Sequence, residues 1–241
     1  MRIGLIADIH GNKLALDTVL DQLAARSVDS IVCLGDVAML GPQPAEALAT
    51  LETSRIPVVM GNTDAWFFGG DYPGPETATL AAWCRERVPP DAVTFVQSFA
   101  STIEVKLNGG LRLLACHATP RNFDEVISAG TPTGEVVEML DGARQEMIAG
   151  GHTHIQLIRQ LDQQRFINPG SVGLPGIGPR SADLARNRHV DWAEYAVIDS
   201  NDDAISIELY RTPIDLAELF EIARAVNMPM LDWWKTLWKG V

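Results

Sequence analysis

Short apolar runs alternate with helical spacing over the first hundred residues. Ile3–Ala7 predicts a buried strand. Asn12 can cap the helix that follows, whose Leu16, Val19, Leu20 and Leu23 recur at helical intervals. Ile31–Leu34 predicts a second strand, Pro44–Leu51 a short helix and Pro57–Met60 a third strand. A β-α-β-α-β order of this kind predicts parallel strands joined by crossover helices. From Ile103 the pattern changes. Ile103–Leu107 and Leu111–Ala115, joined by Asn108-Gly109-Gly110, predict a hairpin. Met147–Ala149, Ile155–Leu161 and Arg165–Ile167 are further strands. A second hairpin, Glu194–Asp199 with Ala204–Tyr210, precedes a helix over Leu216–Val226. Asp64–Pro75 and Gly173–Val190 show no clear period, and loops of that length in a compact domain are often functional.

Length and composition narrow the class. The 241 residues read as one α/β domain over 1–241, and no apolar run approaches the ~20 residues of a membrane span. The apolar N-terminal stretch is interrupted by Asp8 and His10, which fits a first strand better than a signal peptide. Three cysteines, an odd number with no Cys-x-x-Cys pair, argue against a disulfide framework and for a cytoplasmic location. A formal net charge of −12 disfavours duplex nucleic acid as a partner, because phosphate contacts need clustered Lys and Arg. A small phosphorylated substrate stays open, provided bound metal ions offset the background field.

Five apolar runs each end in a residue able to bind a cation: Asp8-x-His10, Asp36, Asn62, His117 and His152-x-His154. Open sheets of this kind place their sites outside the carboxyl ends of the strands. Residues two apart in extended chain point to one side, so Asp8 can converge with His10, and His152 with His154. Gly35, Gly61 and Gly151 directly precede Asp36, Asn62 and His152 and allow close backbone approach. Each residue alone has a plainer explanation, as a helix cap, a turn residue or a core histidine. Together those explanations fare poorly, since four of only five histidines fall at strand ends. The fifth, His189, reads as a surface residue. Imidazole, carboxylate and amide ligands without cysteine suit Mn, Fe, Co, Ni or Zn. Seven ligands are too many for one ion with an open position and about right for two.

In order and spacing, Asp8-x-His10, Gly35-Asp36, Gly61-Asn62-x-Asp64, His117 and Gly151-His152-Thr153-His154 resemble the signature blocks of the calcineurin-like metallophosphoesterases. The stretch Asn168–Pro175 resembles the one found in small bacterial members similar to the YfcE-type phosphodiesterases. The resemblance implies a four-layer α-β-β-α sandwich with two mixed β-sheets. It implies one metal held by Asp8, His10, Asp36 and His154, and a second by Asp36, Asn62, His117 and His152, with Mn foremost. Asp36, Asn62, Asp64 and His117 would form the catalytic group, and a hydroxide between the ions would attack phosphorus in line. Many family members carry His where this chain has Thr63. A threonine hydroxyl can contact substrate but cannot supply a proton near neutral pH. Phosphodiester or nucleotide-type substrates are therefore favoured over alkyl monoesters. The alternatives are a phosphomonoesterase or protein phosphatase, and a metal-bound scaffold without catalysis.

Weaker signals surround this pattern. Arg121 either reaches a substrate phosphate or is a solvated loop arginine. The aromatic run Trp66-Phe67-Phe68 with Tyr72, in a candidate capping loop 64–75, either stacks a nucleobase or packs a lid or dimer contact. Arg180, Arg186 and Arg188 either face the site mouth or are solvated. In the amphipathic segment 229–241, Leu231, Trp234 and Trp238 share one helical face, expected to pack on the protein itself. Homo-oligomerisation stays open.

Overall fold

The computed structural model describes residues 1–70, 72–177 and 188–238. Arg180 and Arg186, with the middle of the loop 173–190 from 178 to 187, Asp71 and the last three residues of the C-terminal segment lie outside that set.

Two mixed sheets form the centre. Strands β1 (Arg2–Ile6), β2 (Ser30–Cys33), β8 (Trp192–Ser200) and β9 (Ile205–Pro213) make the first, in the order β2-β1-β8-β9. Strands β3 (Ile103–Lys106), β4 (Arg112–Ala115), β5 (Met147–Ala149), β6 (Leu157–Leu161) and β7 (Gln164–Asn168) make the second, in the order β3-β4-β5-β7-β6. β1 pairs with β2 in parallel, as β4 does with β5, so the carboxyl ends within each pair point the same way.

Period-two alternation sorts the side chains into layers. Ile3, Leu5 and Ala7 of the first strand face Leu113, Ala115, Met147 and Ala149 between the sheets. Ile6 and Cys33 point the other way, onto α1 (Lys13–Ala25) and α2 (Pro44–Thr53). On the far side, Cys116, Ile148 and Phe166 pack on Val136 and Leu140, at and just after α6 (Thr133–Met139). Helix, sheet, sheet, helix is the four-layer arrangement expected. Asn12 caps α1 through its side chain, which accepts from the Ala15 N–H at 3.1 Å.

Several elements differ from expectation. Pro57–Met60 makes only isolated bridges, to Cys33 and Ala100, and Pro57 has no N–H to extend them into a ladder. α4 (Pro75–Arg87) and α5 (Pro90–Gln97) occupy a stretch for which no element was predicted. Each begins with proline, a helix-start signal that weak amphipathic periodicity had masked in α4. The predicted loop after Asn62 contains α3 (Asn62–Ala65) and a 3-10 turn over Trp66–Phe68. α7 (Leu216–Ala225) and α8 (Leu231–Thr236) close the chain, and Trp234 and Trp238 are buried against Phe220. His189 is also buried, not on the surface: its backbone bridges Trp238 and its ring lies 5.4 Å from that indole.

Candidate metal centre

Four strand ends meet at one place. Asp8 and His10 follow β1, Asp36 follows β2, His117 follows β4, and His152 and His154 follow β5; Asn62 opens α3. These side chains do not converge through an extended pleat. Asp8, His10, Asp36, His152 and His154 all have φ between 48° and 65°, the left-handed region that non-glycine residues seldom adopt. Each step of that kind costs about 1–3 kcal/mol and persists where the surroundings enforce it. Here the backbone is pinned: the Asp8 N–H donates to the Gly35 carbonyl and the His10 N–H to the Asp36 carbonyl, both at 2.9 Å. Gly35 has φ of 94°, and a Cβ there would sit 2.7 Å from the Gly61 nitrogen. Only glycine lets these two turns touch.

The histidine orientations are fixed by carbonyls. Nδ1 of His10 contacts Met39 O at 3.0 Å, Nδ1 of His117 contacts Leu34 O at 2.7 Å, and Nδ1 of His154 contacts Leu174 O at 2.7 Å. A carbonyl only accepts, so each Nδ1 carries the proton and each Nε2 faces inward as a donor of its lone pair. His10 Nε2 and His154 Nε2 lie 3.1 Å apart. His154 Nε2 is 3.4 Å from Asp8 Oδ1, and His10 Nε2 is 3.6 Å from Asp36 Oδ2. Ligand atoms of Asp8, His10, Asp36 and His154 all lie within 4.8 Å of one another.

A second group adjoins the first. Asp36 Oδ2 is also 3.6 Å from His117 Nε2. Asn62 Oδ1 lies 3.0 Å from His117 Nε2 and 3.1 Å from His152 Nδ1. The two groups share Asp36.

Electrostatics favour a cation here. Asp8 Oδ1 and Asp36 Oδ2 are buried with no hydrogen-bond partner. Burial pushes the Asp8 carboxyl up, but His154, His117 and His10 together hold it well below the ordinary carboxylate range. Burial lowers the His117 imidazole, and the Asp36 and Asp8 carboxylates outweigh it, leaving the group above its ordinary value. Two buried carboxylate oxygens without a hydrogen bond, beside inward-facing imidazole nitrogens, match the donor chemistry of a divalent transition metal.

The remaining expected residues separate. Asp64 brings no oxygen into the cluster: it accepts from the backbone N–H groups of Asp36 at 2.7 Å, Val37 at 2.9 Å and Gly61 at 3.1 Å. It is thus a positioning residue and not a member of the catalytic group. Burial and the Asp36 charge push its carboxyl up to about 7, against the pull of those N–H groups. The Thr63 N–H donates to Asp36 Oδ1 at 2.9 Å, while its hydroxyl is buried without a partner. Arg121 does not reach the cluster; its guanidinium is exposed and clasps Glu125 at 2.6 Å. Of the aromatic run, Trp66 is buried edge-to-face with Tyr72, Phe67 is half-buried against the core, and Phe68 is exposed.

Supporting residues outside the expected set are Met39, Leu34 and Leu174, which act through backbone carbonyls and so leave no mark in a sequence. Asn168 and Ser171 were visible only as part of the Asn168–Pro175 stretch. Asn168 Nδ2 donates to Gly151 O at 2.6 Å and Thr153 Oγ1 at 3.0 Å, and Ser171 Oγ donates to Asp8 O at 2.7 Å.

Comparison with known proteins places the chain in a family. A model of the calcineurin-like phosphoesterase superfamily domain matches residues 1–188. The chain belongs to the calcineurin-like phosphoesterase superfamily. An uncharacterized protein of Methanocaldococcus jannaschii, MJ0912, is 26% identical over 96% of this chain and 94% of its own. Among solved structures, a metallophosphoesterase from Sphaerobacter thermophilus superposes with a TM-score of 0.75 at 22% identity, covering 98% of both chains. The hypothetical protein PH1004 from Pyrococcus horikoshii OT3 superposes with a TM-score of 0.83 at 17% identity, over 100% of this chain and 98% of that one. At these identities the two structures show a shared fold. Within the superfamily domain of this chain, all seven candidate ligands lie inside the matched residues.

Proposed function

We propose that this chain is a dinuclear metal-dependent phosphoesterase that hydrolyses small phosphodiesters, nucleotide-type esters included. The observation that carries the reading is the pair of buried, unpartnered oxygens, Asp8 Oδ1 and Asp36 Oδ2, set among imidazole nitrogens. Asp8, His10, Asp36 and His154 would hold one ion, and Asp36, Asn62, His117 and His152 the other, with Mn the first candidate. Bound there, a pair of divalent ions would neutralise charge on the phosphoryl oxygens and acidify the attacking water. Asp36 would bridge the pair, and its orientation is set by the Thr63 N–H on its other oxygen. His10, His117 and His154 would keep their lone pairs inward because their Nδ1 protons are engaged on carbonyls. The unpartnered Thr63 hydroxyl would donate to a phosphoryl oxygen but not protonate a leaving group. A protonating group is worth ~10²–10⁴-fold, so poor alkoxide leaving groups would suffer most.

Rates of the Mn-loaded protein on bis(4-nitrophenyl) phosphate and 4-nitrophenyl phosphate test the reading. Faster diester turnover is expected. Faster monoester turnover would favour a phosphomonoesterase, and no turnover of either would leave a metal-bound scaffold.

A further inference from the structure

His10 and His154 belong both to the metal-candidate cluster and to the wall of a cavity of about 50 Å³. Beyond them the wall is mostly apolar, with Leu40, Leu80, Leu174 and Leu237, and Thr153 and Arg188 add polar groups to it. Ile177, 44% exposed, stands where this wall reaches the surface. A substituent on a phosphoryl group held at the cluster would thus meet a mostly hydrocarbon surface.

A second observation also points to a ligand. His189 and Trp234 are part of the same wall and are buried, yet His189 Nδ1 and Trp234 Nε1 have no hydrogen-bond partner. Buried polar groups are nearly always paired, and an indole N–H can only donate. A ligand that offers one acceptor among apolar atoms would satisfy it.

We propose that this cavity is the subsite for the non-leaving organic group of the phosphodiester substrate, and that it selects a short aliphatic chain carrying one hydrogen-bond acceptor. The inference rests on the phosphoesterase reading above, which places the phosphoryl group beside His10 and His154. Size sets the selectivity. A cavity of about 150 Å³ takes up benzene, so one near a third of that volume holds roughly two to four non-hydrogen atoms. A nucleobase or aryl ring does not fit within it and would have to lie outside.

Calorimetric titration of the Mn-loaded full chain with non-hydrolysable phosphonates tests this. Propylphosphonate should bind about tenfold tighter than methylphosphonate, from two further buried carbons. Acetonylphosphonate, which adds a carbonyl acceptor, should gain a further factor of roughly three, and phenylphosphonate should gain less than propyl. Ile177→Trp, at the exposed rim, should erase these gains and leave methylphosphonate within about twofold. Equal affinity for methyl- and propylphosphonate would overturn the subsite, as would a preference that survives Ile177→Trp. No gain for acetonyl over propyl would overturn the acceptor, and tighter binding of phenyl would overturn the size selection. If no phosphonate bound and no aryl phosphate were hydrolysed, the phosphoesterase reading would fall and the subsite with it. Methylphosphonate binding with no chain preference would remove the subsite alone.

Discussion

Asp64 places no atom among the candidate ligands, yet three backbone N–H groups that shape the Asp36 and Gly61 turns end on its carboxylate. Asp64→Asn turns one acceptor into a donor facing a donor. Stability should fall by about 1–3 kcal/mol, and Mn affinity by about 10–100-fold. Chemical denaturation and Mn titration on the same variant check both, and wild-type Mn affinity would show that the turn does not depend on Asp64. His189 makes the pH prediction. Burial first, then the neighbouring His154 and His10, lower its imidazole from 6.5 to about 3. Between those values the unfolded chain binds a proton that the folded chain refuses, so stability rises with pH across the window and is lost on acidification towards 3. The slope from this group approaches about 1.4 kcal/mol per pH unit. His189→Gln should flatten the stability–pH curve between pH 4 and 6 by up to that amount, and an unchanged slope would contradict the assignment. The sequence alone misplaced this residue, because what buries it is Trp238, 49 positions away, and nothing local marks that contact.

At the level of elements, the strands were legible and several helices were not. β1, β4 and β5 announce themselves as short apolar runs, since strands covered on both faces bury nearly every side chain. α4 and α6 lack a clear apolar stripe, and the Pro57–Met60 run carried the composition of a strand but forms only isolated bridges. The ligand positions were legible from their place after apolar runs, but the way they converge was not. Extended spacing suggested a shared side; the chain instead bends through five left-handed residues. The turn that supports this bend is a separate element, Asn168–Leu174. Asn168 holds Gly151 O and Thr153 Oγ1, and the Leu174 carbonyl receives the His154 Nδ1 proton. Asn168→Ala should therefore leave two buried acceptors short of a donor, cost about 1–3 kcal/mol, and weaken Mn binding by loosening His152 and His154. A thermal melt with a Mn titration reads both effects. A loss of stability with unchanged Mn affinity would confine the turn to a structural role.

Across the whole molecule, the two sheets matter because each ends one set of ligands at their common edge. The first sheet supplies Asp8, His10 and Asp36, and the second supplies His117, His152 and His154. The buried layer between the sheets, from Ile3 and Leu5 to Met147 and Ala149, fixes their register and so the distance between the two ligand sets. That layered plan followed from the resemblance of the five strand-end blocks, in agreement with the parallel-then-antiparallel order of the apolar runs. What the chain pattern did not carry is the apolar cavity beside His10, whose wall draws on residues from position 10 to position 237. The helical face of Leu231, Trp234 and Trp238 was legible, and it packs on the protein's own Phe220. The central claim is a pair of divalent ions sharing Asp36. Anomalous diffraction from crystals of the Mn-loaded protein, recorded at the Mn edge, tests it most directly. Two peaks are predicted, one among Asp8, His10, Asp36 and His154, the other among Asp36, Asn62, His117 and His152. No peak between Asp36 and His152 would contradict the dinuclear account.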